Sequence, residues 1–230
     1  MTTYPVSCAS PDDVQRVTAN LADVRRRIVL AGGDPSTIAI VAVTKSFDSS
    51  MVRAAAAAGL SAMGENYVGE LEAKDGQTAD LVLRWHFLGA LQSNKIARVL
   101  AHADVVSAVT RDKEIDIIAT LRPGMTVDVQ VDLTGQPRRH GASAAEVQTL
   151  VSRARDRGLD VRGLMTVASP EPTLAAAQFA QLRRLAEDLG LRGRSMGMSE
   201  DLELAVEQGS TEIRVGRALF GPRTAPGALA

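Results

Sequence analysis

Short apolar runs alternate with helix-like stretches along most of the chain, and this alternation limits the possible folds more strongly than anything else in the sequence. The first run, Ile38–Val43, is continuous and rich in β-branched residues, which is typical of a strand buried on both faces. Further runs of similar character follow at regular intervals. The predicted strands are 38–43, 60–64, 84–89, 104–108, 126–131, 161–167, 194–197 and 212–215.

Helix signals fill the intervals between these strands, and one helix precedes them all. The leading helix is predicted to start at Pro11, with Ser10 as its N-cap, and to stop at Gly32. Ser143 and Glu146 have the spacing of a capping box that opens a later helix. The later helices are predicted near 50–58, 67–75, 93–101, 111–120, 144–157, 173–189 and 200–207.

Regular strand–helix alternation predicts a parallel sheet, because parallel strands need a crossover connection between them. Eight such units favour an α/β fold in which a closed (β/α)₈ barrel of the TIM type follows an extra N-terminal helix. An open doubly wound sheet is the alternative. We expect a single domain over residues 1–230, because no linker or low-complexity tract interrupts the pattern. Residues 134–142 are predicted to form a loop, and residues 1–9 and 222–230 to be flexible.

The charge balance excludes several classes of partner. The chain has 26 basic and 27 acidic residues and a net charge of −1, which indicates neither a nucleic-acid-binding nor a membrane-surface protein. No apolar run approaches the roughly 18–20 residues that span a bilayer, and the N-terminus lacks the regions of a signal peptide. The single cysteine, Cys8, cannot form an internal disulfide, which fits a reducing compartment. We therefore expect a soluble cytoplasmic protein.

Polar residues follow the predicted strands, at the end of a barrel where chemistry is usually found. Lys45 comes directly after the first strand, Asn66 follows the second, and Met165 lies in the sixth. Desolvation and cationic neighbours lower the pKa of a lysine in a barrel mouth, and its neutral amine can form a Schiff base with an aldehyde. A structural lysine whose stem packs on the strand end is the alternative, and position alone leaves both open.

The last two strand ends suggest an anion site. Ser195 and Gly197 precede a helix for which Ser199 is the predicted N-cap, and Gly216 follows the last strand. Glycines allow a phosphate to approach the backbone, and exposed N–H groups there attract it. Barrels of this type often bind phosphate after the seventh and eighth strands. The three histidines lack metal-ligand spacing, so no metal site is predicted.

Several segments together carry a resemblance to a known family. The chain resembles the pyridoxal phosphate (PLP) homeostasis proteins, which share the barrel of the alanine racemase N-terminal domain. The segments occur in that family's order and span most of the chain. They are Ala42–Lys45, Gly64–Val68, Trp85–Gly89, Leu91–Lys95, Arg162–Met165, Ser195–Ser199 and Ile213–Gly221.

The resemblance implies that PLP is the cofactor, that Lys45 carries it as a Schiff base, and that Asn66 lies beside its ring. It also implies that Arg214 faces the pyridine nitrogen. A guanidinium only donates hydrogen bonds, so this nitrogen should stay unprotonated, which weakens the electron sink of most PLP chemistry. The other cofactor-binding residues implied are Met165 and, at the phosphate, Ser195, Gly197 and Gly216.

Three positions depart from the family pattern. Arg217 stands where the family usually has a small hydroxyl residue, and it either strengthens phosphate binding by its charge or crowds the site. Phe47 replaces a second lysine, Arg139 replaces a loop lysine found in some members, and neither residue can form a Schiff base. The sequence therefore supports PLP binding more strongly than transfer of PLP between lysines.

These features predict a PLP homeostasis protein that holds, buffers or delivers the cofactor without substantial turnover, with PLP-dependent apo-enzymes or amino acids as possible partners. An amino-acid racemase is the alternative. It needs a second acid/base opposite the lysine, typically a tyrosine, and the chain offers only Tyr4 and Tyr67. An interaction scaffold with an empty pocket would leave the strand-end polar residues unexplained. Because the sequence ends after its eighth unit, without the β domain through which racemases dimerise, we expect a monomer.

Overall fold

The computed structural model describes residues 8–136 and 139–222, and within them eight parallel strands form a closed barrel. The strands in chain order are β1 (Ala39–Val43), β2 (Ala62–Glu65), β3 (Arg84–Phe87), β4 (Val105–Val109), β5 (Thr126–Asp132), β6 (Ala142–Ser143), β7 (Asp160–Thr166), β8 (Gly193–Ser195) and β9 (Glu212–Val215). The hydrogen-bonded order is β4-β3-β2-β1-β9-β8-β7-β5, and the pairing of β4 with β5 closes the ring. The two-residue β6 lies outside the ring, where it pairs with the carboxyl end of β5.

Helices surround the barrel and connect its strands. Within the described ranges they are α1 (Pro11–Leu30), α2 (Ser49–Ala57), α3 (Val68–Gln77), α4 (Ile96–His102), α5 (Asp112–Leu121), α6 (Val147–Asp156), α7 (Pro172–Asp188), α8 (Leu202–Glu207) and α9 (Arg217–Phe220). The leading helix α1 is capped by Ser10, whose hydroxyl accepts from the backbone N–H of Asp13. It packs against α2, α8 and α9 through a buried stripe at three-to-four residue spacing. None of the described helices is both long and apolar enough to cross a bilayer.

The predicted barrel and its extra N-terminal helix are confirmed, and the structure differs at a few local points. The predicted strand 194–197 covers residues 193–195 in the structure. The predicted N-cap role of Ser199 is wrong, since α8 begins after Asp201. The carboxylate of Asp201 accepts from the Met198 N–H at 2.6 Å and closes a turn first, while the Ser199 hydroxyl accepts from the Ala218 N–H.

The segment before α6 also differs from the prediction. Ala142 falls in the predicted loop but belongs to β6. The carboxylate of Glu146 accepts from both the backbone N–H and the hydroxyl of Ser143, at 2.9 and 2.6 Å. Only half of the predicted capping box forms, because the Glu146 N–H donates to the Ser143 carbonyl oxygen and not to its hydroxyl. These contacts close a turn, and helix α6 starts only at Val147. Most of the residues predicted to be flexible, 1–7 and 223–230, lie outside the described ranges.

The apolar core lies between the barrel and its helices, whereas the barrel interior carries buried charge. Arg162 in β7 donates to Asp128 in β5 and to Glu212 in β9, with N···O distances of 2.5 and 2.6 Å. Both carboxylates are almost fully buried. This ion cluster fills a layer of the barrel that apolar side chains commonly occupy, and it lies one layer below the carboxyl ends of the strands.

Candidate functional site

A cavity of about 470 Å³ opens at the carboxyl ends of the barrel strands. Its volume falls within the roughly 300–1,000 Å³ that is common for small-molecule sites. Five predicted cofactor residues line it: Lys45 after β1, Asn66 after β2, Met165 near the end of β7, Arg214 in β9 and Gly216 after β9. The fold therefore brings these side chains together from strands that are far apart in sequence.

The other two predicted residues, Ser195 and Gly197, lie behind the cavity wall and not on it. The hydroxyl of Ser195 is buried, donates to Glu212 Oε1 at 2.7 Å and accepts from Arg214 Nη1 at 2.8 Å. Gly197 has a φ of +96°, and a Cβ at this position would come within 2.6 Å of the Ala205 side chain. Their contacts with a phosphate stay predictions, but the structure gives the Ser195 hydroxyl other partners.

Arg214 forms part of the cavity floor and is held from two sides. Its Nη2 donates to the Thr166 carbonyl oxygen at 2.7 Å, and its Nη1 donates to Ser195. Burial lowers the pKa of Arg214, while the nearby Glu212 opposes this shift. These two contacts leave further N–H groups of the guanidinium for a ligand. The chain of contacts from Arg162 through Glu212 and Ser195 thus links the buried ion cluster to the cavity.

Ser195→Ala is expected to reduce the free energy of unfolding by about 1–2 kcal/mol, because it removes a hydrogen-bond partner from two buried charged groups. Urea unfolding of the cofactor-free protein measures this effect. Ser152→Ala is the matched control, since Ser152 is exposed on α6. If both variants unfold like the unaltered protein, the Ser195 hydroxyl does not contribute to holding Arg214 in place.

Asn66 contributes an unpaired polar atom to the cavity. Its Oδ1 is buried and has no hydrogen-bond partner among the described residues. A buried polar atom of this kind usually has a partner, so Asn66 offers an available acceptor to a molecule that enters the cavity. Gly89 permits this arrangement, because a Cβ there would lie 2.0 Å from the Asn66 carbonyl oxygen.

Lys45 is half-buried at the cavity wall and lies in a tight turn after β1. The turn is closed by the Phe47 N–H, which donates to the Thr44 carbonyl at 3.0 Å. Ser46, within this turn, has a φ of +64° and is the one non-glycine residue of the described chain with positive φ. Such a conformation costs a side-chain-bearing residue free energy, so the surroundings must hold it.

A buried cluster that the sequence reasoning missed lies behind Lys45. Lys74 of α3 donates to Glu65 at 2.6 Å, to Glu70 at 2.8 Å and to the Thr44 carbonyl at 2.7 Å. Burial raises the pKa of Glu65, while Lys74 acts in the opposite direction. The Glu70–Lys74 spacing of four residues was a usable sequence signal for the pair. Nothing in the sequence indicated that the pair is buried against the turn after β1.

Two arginines that depart from the family pattern also line the cavity. Arg217 forms an ion pair with Glu200, with an Nη1–Oε1 distance of 2.7 Å, and both side chains are exposed. Arg139 is half-buried at the cavity wall. Within the described ranges, no group of three or more His, Cys, Asp or Glu side chains is arranged to hold a metal ion.

Comparison with known proteins shows which family the chain belongs to. The family model of the alanine racemase N-terminal domain matches residues 13–224. A pyridoxal phosphate homeostasis protein of Pseudomonas aeruginosa is 40% identical over 220 residues, which cover 90% of this chain and 96% of that protein. This chain belongs to the pyridoxal phosphate homeostasis protein family. The family member of Escherichia coli K12 is 34% identical over 227 residues, which cover 90% of this chain and 97% of the relative.

A solved structure of a similar protein, a member of the COG0325 family, has the same fold. PipY of Synechococcus elongatus, solved with PLP bound, is 33% identical to this chain and superposes with a TM-score of 0.79. The match covers 89% of this chain and all of PipY. A PLP-bound barrel thus closely resembles the one described above.

Proposed function

We propose that this protein binds PLP in the barrel cavity, holds it as a Schiff base on Lys45, and serves PLP homeostasis without substantial turnover. The observation that carries the proposal is that Lys45, Arg214 and Gly216 all line the same cavity. The PLP-bound PipY structure and the family membership support the choice of cofactor.

The residues around the cavity fit PLP. The unpaired Asn66 Oδ1 needs a donor, and Arg214 has N–H groups left for an acceptor. Apolar side chains such as Val43, Leu88 and Met165 offer walls for an aromatic ring. When bound, PLP supplies an aldehyde that a lysine amine can attack and a ring that can withdraw electrons.

Each residue has a distinct task in this proposal. The Lys45 amine fixes the cofactor covalently, and Asn66 accepts a hydrogen bond at the ring's edge. Arg214 donates to the ring nitrogen and keeps it unprotonated, because a guanidinium has no acceptor to offer and keeps its own proton. Gly216 lines the cavity where we place the phosphate. A Cβ there would come within 3.1 Å of the Val43 carbonyl oxygen, so a glycine lets this strand end pack closely against β1.

The same geometry favours holding over catalysis. A ring nitrogen that stays unprotonated is a poor electron sink, so carbanion chemistry at bound PLP is disfavoured. A racemase needs a second acid/base that faces the cofactor opposite Lys45. Tyr67 is 59% exposed and does not line the cavity, and Tyr4 lies outside the described residues. The racemase alternative therefore gains no support from any tyrosine that the structure describes.

The proposal also covers the oligomeric state, the partners and the cellular location of the protein. We propose that the protein binds PLP as a monomer, which size-exclusion chromatography of the loaded protein can test. PLP-dependent apo-enzymes, or amino acids that react with the bound cofactor, are the proposed recipients. Cytoplasmic location is likewise proposed, from the cysteine usage and charge balance of the sequence.

The deciding experiment is reduction of the PLP-loaded protein with borohydride, followed by peptide mapping. We expect a visible absorption band from the Schiff base, its loss on reduction, and one reduced adduct on Lys45. Racemase and transaminase assays on the same sample then separate a carrier from an enzyme. Absence of both the band and the adduct would overturn the proposal that the protein binds PLP. Rapid racemisation would overturn the proposal that it does so without substantial turnover.

A further inference from the structure

Lys74 is an internal cation in contact with the segment that carries Lys45. It is 4% exposed, and its three ammonium hydrogens match its three acceptors, Glu65, Glu70 and the Thr44 carbonyl. An ammonium group with every hydrogen used in this way has no free lone pair for an aldehyde. We call Lys74, Glu65 and Glu70 the Lys74 clamp.

The clamp forms hydrogen bonds with the backbone on both sides of Lys45. Before Lys45, the Thr44 carbonyl accepts from Lys74 at 2.7 Å. After Lys45, the Ser46 N–H donates to Glu70 Oε2 at 2.8 Å, and the same oxygen accepts from Lys74. One ion pair therefore fixes the residues that flank the proposed attachment point. It also holds Ser46 in its left-handed conformation, which would otherwise relax.

Glu65 extends the clamp to a second strand end. Its Oε1 accepts from the Thr44 hydroxyl at 2.6 Å as well as from Lys74. Its Oε2 accepts from the backbone N–H of Asn66 at 3.3 Å. A single buried carboxylate thus joins the end of β1, which carries Lys45, to the end of β2, which carries Asn66.

We propose that Lys74, Glu65 and Glu70 are positioning residues that set the place of the Lys45 amine relative to Asn66 and the rest of the cavity. The proposal rests on the function proposed above, because a lysine needs such placement only if it reacts. Misplacement of a reacting group by about 1 Å can slow a reaction by roughly two orders of magnitude. The clamp matters because the turn that it holds is itself strained.

Glu70→Ala tests the clamp with the least disturbance of the core, since the Glu70 side chain is 32% exposed. We expect Schiff-base formation with added PLP to be at least about tenfold slower, because the Ser46 N–H loses its acceptor and Lys45 moves. Stopped-flow absorbance measures this rate. Glu72→Ala is the matched control: Glu72 lies on the same helix and pairs with Arg98, away from the cavity. Its rate should stay within about twofold of the unaltered protein.

Two further readouts separate positioning from a loss of structure. Glu70→Gln keeps an oxygen acceptor for Ser46, so it should restore most of the rate that Glu70→Ala loses. In cofactor-free protein, reductive methylation resolved by mass spectrometry gives a pH profile for each lysine. We expect the Lys45 profile of Glu70→Ala to differ from that of the unaltered protein, while the profile of the exposed Lys113 and the circular dichroism stay unchanged.

These outcomes distinguish the clamp from the function on which it rests. If the unaltered protein takes up no PLP, the proposed function fails, and the methylation profile still decides whether the clamp positions Lys45. If the unaltered protein takes up PLP and Glu70→Ala matches Glu72→Ala in rate and in the Lys45 profile, the clamp proposal alone is overturned.

Discussion

Lys45→Ala is expected to abolish covalent attachment of PLP while the free energy of unfolding stays within about 1 kcal/mol of its original value. The chemical effect is complete because alanine has no amine to attack the aldehyde. The structural effect is small because Lys45 is half-buried at the cavity wall and is not part of the apolar core. Borohydride reduction followed by intact mass measurement checks the first part, and urea unfolding checks the second.

The other lysines determine how this result is interpreted. Lys95→Ala is the matched control, because Lys95 is also half-buried but lies outside the cavity lining, in the 3₁₀ turn Ser93–Lys95. We expect that variant to attach PLP as the unaltered protein does. Lys74 is a poor alternative site, because its amine is buried, does not line the cavity and already donates to three acceptors. A reduced adduct that persists in Lys45→Ala, mapped to another lysine, would contradict the assignment of Lys45.

The barrel could be predicted because the sequence signals for its strands and helices lie within each short segment. Strands such as β1, β4 and β5 are short runs rich in β-branched residues, and most crossovers have their own helix signals, so the eight units can be counted one at a time. The two-residue β6 could not be predicted, since Ala142 and Ser143 carry no periodic pattern and pair only because β5 extends past the ring. The start of α8 was missed because Asp201, not Ser199, closes the preceding turn.

The site residues also differ in whether local sequence or tertiary packing determines their positions. Lys45, Asn66 and Gly216 directly follow strands, and parallel strands in a barrel present their carboxyl ends at one face, so their convergence was predictable. Ser195 is the last residue of its strand, and whether its hydroxyl faces the cavity or Glu212 depends on barrel packing. The position of Lys74 depends on how α3 packs against the turn after β1, which is tertiary information that no local pattern contains.

Arg162→Met is expected to lower the free energy of unfolding by about 3–5 kcal/mol at neutral pH, the usual cost of removing one partner from a buried ion pair. It leaves Asp128 and Glu212, which are 1% and 3% exposed, facing each other in the barrel without their cation. Burial acts to raise the pKa of Glu212, but Arg162 and His86 outweigh it, so this pKa lies below its usual value. Glu212 therefore contributes stability above the unfolded-state pKa of about 4.3 and loses it as the pH falls through the lower folded-state pKa.

Without Arg162 the sign of this contribution reverses, which gives the prediction a second, independent measurement. Burial and the neighbouring Asp128 carboxylate then raise the folded-state pKa of Glu212, so folding favours its protonated form and stability falls as the pH rises from about 4. Burial lowers the pKa of His86, whose Nδ1 lies 3.8 Å from Glu212 Oε2, and the charge of Arg162 adds to this shift. Without Arg162, His86 therefore takes up a proton at a higher pH than in the unaltered protein and can partly replace the missing charge. The stability deficit should therefore shrink from neutral to acidic pH in urea titrations.

Because Glu212→Gln in the Arg162→Met background removes one of the two stranded charges, it should recover part of the loss at neutral pH. A deficit that is the same at every pH would mean that lost packing, not stranded charge, destabilises the variant.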